Sequence, residues 1–426
     1  MPCLRTLLQR LRPAPGPAGA LLALALAGPI PAARAFTELT TPLRLPLTWI
    51  PIHWPGPGPA PRKLGLYAAL GGSRQPRLFE FDTGGAGFYP TYAGAGVTPT
   101  SPWWGDPGSD TGYRFDQRYD DGAISYRGAV VRTSVSLFAA ANAEVPLFTA
   151  HDVLVGRTET INDHPLDPPF QKPPLEGAFW GDFGLALKPG KKGEVDHGSA
   201  AEDDRPRLDS FIAQMRYGNG VRPGYRVHAS SSQPWVQFGL GSADRPADGF
   251  TIALNPPEGP GPTHSPADVP YGNDLVISGL LQVRDGATAL VQDGTGMILD
   301  TGAYATIHTD GRFPEALNAG GAVIGGAEVT VAAASLQGGG GLGPMVPFLQ
   351  FTAGSTLNDD LVWVKKTGSD YLNTGLLPFF HYDVMVDLED GTLRLLGAPS
   401  PPPVPAPVPL LAPVATLALA RRLRRR

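Results

Sequence analysis

The chain has 426 residues, of which 42% are hydrophobic and 17% are charged, and this composition excludes a disordered chain. It is long enough for two lobes or for one large β-rich domain. The formal net charge of −5 provides no basic surface to neutralise phosphates, so a nucleic-acid partner is not expected.

The chain begins with the features of a secretion signal, which we assign to residues 1–35. Three arginines precede an apolar run at 18–27, and Ala33-Arg34-Ala35 fits the small-residue rule for cleavage. The alternative is an amphipathic start to the folded domain. Cleavage would remove Cys3, the only cysteine, so the exported protein would have no disulfide, no cysteine nucleophile and no thiolate metal site.

The middle of the chain has the texture of an all-β protein. Short runs that alternate apolar and polar residues are separated by Gly, Pro and Asp, as at 66–70, 130–137 and 382–388. One helix is predicted, at 207–215. Stretches dense in Pro, Gly and charge are predicted to be loops, near 160–175, 188–206 and 256–270.

The tripeptide Asp-Thr-Gly occurs three times, and two of the copies share a setting. Asp82-Thr83-Gly84 and Asp300-Thr301-Gly302 each follow a short apolar strand and open a glycine turn. Two such corners facing each other would bring two carboxyl groups close enough to share one proton, which is how aspartic proteases activate water. The third copy, at Asp110-Thr111-Gly112, has a polar lead-in and is predicted to be a surface loop.

The C-terminal end combines a Pro-rich linker at 399–407 with a tail at 408–426 that is first apolar and then rich in arginine. The apolar part is shorter than the roughly 20 residues of a membrane span. The tail resembles the PEP-CTERM sorting signals of Gram-negative bacteria, with Val404-Pro405-Ala406-Pro407 in place of the usual Pro-Glu-Pro. This resemblance implies a bacterial source and removal by an exosortase-type membrane enzyme. The alternatives are a short membrane anchor and a disordered basic tail.

Removing both ends changes the charge of the protein. The ends carry nine arginines and no acidic residue, so the remaining 25 basic and 39 acidic residues leave a charge of −14. An acidic surface suits a soluble exported protein, including one that works in mild acid. We expect a monomer in the periplasm, at the outer surface or outside the cell, with membrane contact only through the tail.

Residues 64–397 resemble a pepsin-type, or A1-type, aspartic protease. The run 66–84 matches the approach to the first catalytic aspartate of that family, and Tyr119-Asp120-Asp121-Gly122 resembles its flap hairpin. The resemblance implies that Tyr119 and Gly122 cover the substrate. It also puts Tyr89 where the family has a tryptophan that hydrogen-bonds the flap tyrosine.

Later segments resemble the elements that close each lobe of this family. They are 181–187 and 210–215 in the first lobe, and 373–380, 386–388 and 391–395 in the second. Their order implies an all-β, bilobal, pepsin-like fold with the active-site cleft between the lobes. We assign an N-terminal segment to 36–62, the N-terminal catalytic lobe to 63–265 and the C-terminal catalytic lobe to 266–398.

The chemistry implied is general acid–base hydrolysis of polypeptides, with Asp82 and Asp300 as the catalytic pair and no metal or cofactor. Which of the two holds the proton at rest is left open. Thr83 and Thr301 would cross-link the corners through hydrogen bonds to the opposite backbone. Gly84 and Gly302 would let the chain turn without a side chain blocking the pair.

Two positions depart from the family pattern. The residue after each Asp-Thr-Gly is usually serine or threonine, and here it is Gly85 and Ala303. Loss of a hydrogen bond at Gly85 disfavours the ionised carboxylate and predicts a less acidic working range. These departures keep a second interpretation open, in which the chain is a catalytically inactive pepsin-fold binding or matrix protein at the bacterial cell surface.

Overall fold

The computed structural model describes the chain in thirteen stretches: 37–52, 62–92, 103–119, 124–166, 173–186, 194–195, 207–229, 232–244, 249–254, 277–336, 342–354, 361–367 and 370–397. The predicted secretion signal, the Pro-rich linker, the C-terminal tail and the flap residue Gly122 lie outside these stretches. The expectations for these segments therefore stay predictions.

The described residues form 27 strands, which confirms the all-β prediction. The first thirteen are β1 Glu38–Leu39, β2 Leu43–Pro46, β3 Thr48–Pro51, β4 Arg62–Leu70, β5 Arg77–Asp82, β6 Phe88–Pro90, β7 Ser109–Tyr119, β8 Ile124–Phe138, β9 Phe148–Ile161, β10 His164–Pro165, β11 Gly181–Gly184, β12 Glu194–Val195 and β13 Arg216–Tyr217. The others are β14 Arg222–His228, β15 Trp235–Leu240, β16 Phe250–Ala253, β17 Ile277–Asp285, β18 Thr288–Ile298, β19 Thr306–Thr309, β20 Asn318–Ala319, β21 Ala322–Val323, β22 Glu328–Leu336, β23 Leu342–Thr352, β24 Trp363–Lys366, β25 Tyr371–Asn373, β26 Asp383–Asp387 and β27 Thr392–Leu396.

The helix predicted at 207–215 is wrong in type and length, because only Phe211–Gln214 is helical and it forms a 3₁₀ turn. Gln214 ends the turn by bonding to a neighbouring strand. Its Oε1 accepts from the Leu154 backbone N–H at 2.8 Å, and its Nε2 donates to the Leu154 carbonyl at 3.0 Å. This side chain bonds to both backbone groups of the buried Leu154 in β9, and the backbone is extended at Met215.

The α-helix of the described part was not predicted; it is α1, Leu377–His381, with Pro378 in its first turn, where proline is tolerated. Two further 3₁₀ turns are Ser242–Asp244 and Glu315–Leu317. None of the helices in the described stretches is long and apolar enough to cross a membrane.

Two large sheets divide the strands largely by position in the chain. One sheet holds β3 to β12, and the other holds β14 to β27 together with β2. Within the second sheet β14 pairs with β26, and β16 pairs with β27. Strands from the middle of the chain are thereby joined to its last strands. The exact bounds assigned to the two lobes stay predictions.

Each matched Asp-Thr-Gly lies in a loop with the same local topology. In the first sheet β11 inserts between β5 and β6, parallel to the one and antiparallel to the other. In the second sheet β25 inserts between β18 and β19 in the same two directions. Both corners are therefore psi-shaped loops, as expected for a pepsin-like fold. The all-β architecture of the described residues is consistent with that fold.

Aromatic side chains pack together in the strands around the first corner, which contains Asp82. Phe79 meets Phe88 edge-on with ring centroids 5.0 Å apart, and Phe88 packs on Phe183 at 4.8 Å. All three side chains are fully buried, and they come from β5, β6 and β11. The strands that carry Asp82 are thus bound by burial of large rings as well as by backbone hydrogen bonds.

Candidate active site

Asp82 and Asp300 lie at the ends of apolar strands and are themselves buried. Asp82 is the last residue of β5, and Asp300 follows β18 by two residues. Asp82 is 8% exposed to solvent and Asp300 is 9% exposed. Carboxyl groups are rarely buried without partners, because the charged form loses its hydration, so their hydrogen bonds decide what they can do.

The two threonines lock the corners to each other. The Thr83 N–H donates to Thr301 Oγ1 and the Thr301 N–H donates to Thr83 Oγ1, both at 3.0 Å. The Thr83 hydroxyl also donates to the Leu299 carbonyl at 2.8 Å, and the Thr301 hydroxyl donates to the Phe81 carbonyl at 2.6 Å. Four buried bonds therefore join segments that are more than 200 residues apart in the sequence.

The two glycines place each corner against the opposite carboxyl group. A Cβ atom at Gly84 would lie 2.3 Å from Asp300 Cγ, and one at Gly302 would lie 2.5 Å from Asp82 Cγ. Any side chain at either position would collide with the facing acid. The carboxyl groups of Asp82 and Asp300 are within hydrogen-bonding range of each other. They can approach this closely because Gly84 and Gly302, which face them, have no side chains.

Burial raises the pKa of Asp82 well above its ordinary value, and the nearby carboxyl groups of Asp300, Asp182 and Glu80 raise it further. Like charges at this distance cannot both ionise cheaply. Asp82 therefore keeps its proton to a higher pH than an ordinary aspartate does.

Asn373 is a site residue that the sequence did not reveal. Its Nδ2 donates to Asp300 Oδ2 at 2.7 Å, and its Oδ1 accepts from the Gly375 N–H at 2.9 Å. Asp300 Oδ1 also accepts from the Gly302 N–H at 2.8 Å. In the sequence Asn373 is only part of the closing segment at 373–380; aligning 182–184 with 373–375 shows that it is equivalent to Asp182.

The two departures from the family pattern have different consequences. A Cβ atom at Gly85 would lie 2.2 Å from Asp82 Oδ2, so this position has no room for a serine while the carboxyl group is placed as it is. At Ala303 the missing hydroxyl is replaced from another strand, because Asn373 donates to Asp300.

Of the predicted flap residues, Tyr119 lines the cleft and Tyr89 does not, and Gly122 lies outside the described stretches. Tyr119, at the end of β7, lines the cleft together with both aspartates. Tyr89 is fully buried and meets Tyr119 edge-on, with ring centroids 6.5 Å apart. The Tyr89 hydroxyl donates to Gln117 Oε1 at 3.4 Å and not to Tyr119, so the expectation that it hydrogen-bonds the flap tyrosine is wrong.

The cleft has a volume of about 760 Å³ and is lined from both sheets. On the Asp82 side its wall contains a buried ion cluster, in which Lys63 Nζ lies 2.6 Å from Glu80 and 2.9 Å from Glu176. Glu176 adopts a positive φ of 51°, which is uncommon for a residue with a side chain. The pKa of Glu80 is raised to about 8, chiefly by burial; Lys63 acts to lower this pKa, and Glu176 and Asp182 act to raise it.

The third Asp-Thr-Gly is placed elsewhere in the structure. Asp110 and Thr111 lie within β7, where the pairing with β8 shifts register, and Gly112 has a φ of +79°. This copy is an exposed strand irregularity and not the predicted loop, because the alternation that carries β7 resumes at Tyr113. It does not line the cleft.

In the described stretches, no group of three or more His, Cys, Asp or Glu side chains is arranged to hold a metal ion. No protein-family model matches the chain, and no curated protein matches its sequence. Among solved structures, the chain is similar to the aspartic proteinase from Irpex lacteus, with a TM-score of 0.46 and 14% identity. The match covers 78% of this chain and 93% of that chain.

Proposed function

We propose that this chain is an exported aspartic endopeptidase, which hydrolyses peptide bonds with water activated by Asp82 and Asp300. The observation that carries the proposal is the reciprocal lock of Thr83 and Thr301, which presents two buried acids to each other at the floor of one cleft. An aspartate in an ordinary surface turn does not require hydrogen bonds of this kind to a second, distant Asp-Thr-Gly.

The reaction needs one acid protonated and one ionised. The ionised carboxylate takes a proton from water as the water oxygen bonds to the substrate carbonyl carbon, and the other acid gives its proton to the carbonyl oxygen. The tetrahedral intermediate then collapses. The C–N bond breaks, the amide nitrogen takes the proton that came from water, and the proton on the oxygen returns to its donor. No covalent bond to the enzyme forms at any step.

The surroundings of the pair support this chemistry. Four hydrogen bonds fix the corners, so little reorganisation is needed when charge develops. The raised pKa of Asp82 moves the loss of the last proton of the pair to higher pH. Activity should therefore extend from mild acid toward neutral pH.

The test is cleavage of an unfolded protein by the purified chain across the pH range. We expect kcat/KM to follow a bell, with a plateau between mildly acidic and neutral pH, and pepstatin to inhibit the cleavage. Binding of pepstatin or peptides without any cleavage at any pH would favour the inactive binding protein instead. Cleavage that ignores pepstatin and depends on added metal would exclude the proposal.

The export and sorting steps are part of the proposal. The secretion signal at 1–35 and the tail at 399–426, with its resemblance to a sorting signal, support a polypeptide substrate outside the cytoplasm. Processing of the tail by an exosortase-type enzyme is proposed on the same basis.

A further inference from the structure

The two acids occupy equivalent corners, but their neighbours differ. Asp182 on β11 and Asn373 on β25 each pair in register with the residue two places before the aspartate of their own corner. The two positions are therefore equivalent in the two sheets. One presents a carboxyl group and the other a carboxamide, so the pair of acids is electrostatically asymmetric.

On the Asp300 side, two N–H groups of the described residues donate to the carboxyl oxygens. The Gly375 N–H donates to Asn373 Oδ1, which fixes the orientation of the amide and directs its N–H toward Asp300 Oδ2. The Gly302 N–H serves the other oxygen of Asp300. Donors on both oxygens favour the ionised carboxylate.

On the Asp82 side, one backbone N–H donates to the carboxyl group, and several other carboxyl groups lie nearby. The Gly84 N–H donates to Asp82 Oδ1 at 2.7 Å, and Gly85 offers no side chain to Oδ2. The carboxyl groups of Asp300, Asp182 and Glu80 are the neighbours that raise the pKa of Asp82. Lys63 is bound to Glu80, and Arg118 and Lys365 also line the cleft. The phenols around the pair stay neutral, since burial raises the pKa of each: Tyr119, Tyr126 and Tyr225.

We infer that Asp82 holds the shared proton at rest and Asp300 is the ionised partner, and that Asn373 is the positioning residue that sets this order. The inference rests on the proposed function and assigns its two roles. Asp300 takes the proton from water while the water oxygen bonds to the carbonyl carbon, and Asp82 protonates the carbonyl oxygen. Asp300 then passes its proton to the leaving amide nitrogen as the C–N bond breaks, and Asp82 regains its own.

Two substitutions distinguish a proton held by Asp82 from a proton held by Asp300. In the inferred order, the acidic limb of kcat/KM reports protonation of Asp300, and the basic limb reports loss of the proton from Asp82. Asn373→Leu removes a donor to Asp300 and should raise the acidic limb by about one pH unit, with the basic limb unmoved. Asp182→Asn should lower the basic limb and leave the acidic limb in place.

If Asp300 held the proton instead, Asn373→Leu would move the basic limb and Asp182→Asn would move the acidic limb. That result would overturn the inference. Unmoved limbs in both variants, with the wild-type chain active, would overturn it as well. Asn373→Asp is the second variant: it keeps the shape of the side chain, puts a carboxyl group in place of the amide donor beside Asp300, and should raise the acidic limb as well. Exposed Asn142→Leu is the matched control and should move neither limb.

A readout without turnover separates failure of the inference from failure of the proposed function. Carbon-13 NMR of labelled aspartate carboxyl groups in the full chain should show Asp300 ionising at lower pH than Asp82, and Asn373→Leu should narrow the gap. Asp82 ionising first would overturn the inference even in an active enzyme. Absence of cleavage with the expected order of ionisation would count against the protease and leave the proton order supported.

Discussion

At the scale of single residues, Thr83 and Thr301 do the most to define the site. Each hydroxyl donates to a carbonyl of the opposite corner and accepts from a backbone N–H there. All of these groups are buried, so a lost partner leaves an unsatisfied donor or acceptor without water to replace it. The resemblance to pepsin-type proteases implied this exchange; the tripeptide alone did not, since Thr111 of the third copy donates to the Val130 carbonyl instead.

We expect Thr83→Val to lower the free energy of unfolding by about 2–4 kcal/mol, because it orphans the Thr301 N–H and the Leu299 carbonyl while the volume of the side chain hardly changes. Cleavage activity should fall as well, because the two carboxyl groups are no longer held together. Thr83→Ser keeps the hydroxyl and is the control. Chemical denaturation measures the difference; a valine variant as stable as wild type would show that the lock contributes nothing.

The residues that sequence reasoning missed are polar side chains inside apolar-looking segments. Glu80 has apolar neighbours on both sides in β5, and Asn373 lies in a closing segment whose sequence pattern depends on its glycine and leucines. A buried polar group acquires its role from the partner across the sheet. The register that supplies Lys63 to Glu80, or Asp300 to Asn373, is not visible in either segment alone.

At the scale of elements, strands were predictable and helices were not. The runs near 66–70 and 130–137 fall within β4 and β8. In β8 the residues 132–135 alternate between half-buried and buried, which gives a period of two in the sequence, whereas 66–70 is apolar throughout and is buried on both faces. The predicted helix at 207–215 has no side-chain cap and shrinks to a single 3₁₀ turn. At α1 the five residues Leu377–His381 are too few to show a helical period.

The order of elements mattered more than any one of them. Three copies of Asp-Thr-Gly are equal as tripeptides, and the setting separates them. Two stand beside an inserted strand in a psi-shaped loop, whereas the third stands at a register shift in β7. The strand that precedes each tripeptide was the signal that distinguished them in the sequence.

At the scale of the whole molecule, buried acids make stability depend on pH. The pKa of Glu80 is raised to about 8 from an ordinary value of 4.5, so the folded state binds this proton more tightly than the unfolded state. Its stabilising contribution is complete below about pH 4.5 and is lost as the pH rises toward 8. Asp82, whose pKa is also raised, acts in the same direction.

We therefore expect the free energy of unfolding to fall between about pH 5 and 8, with a slope approaching 1.4 kcal/mol per pH unit for each proton involved. Denaturation at several pH values measures the slope. Glu80→Gln removes one titrating group and should flatten the curve. Stability that rises over this interval would contradict the burial of these carboxyl groups in a shared cleft.

The most direct test of the two-acid site compares the cleavage rate of an unfolded protein by wild type, Asp300→Asn and Asp110→Asn. The control changes the same tripeptide at its exposed copy, outside the cleft. We predict that Asp300→Asn lowers kcat/KM by about 10³-fold or more, while Asp110→Asn keeps the wild-type rate. Cleavage that survives Asp300→Asn, or that is lost with Asp110→Asn, would contradict the assignment of the site.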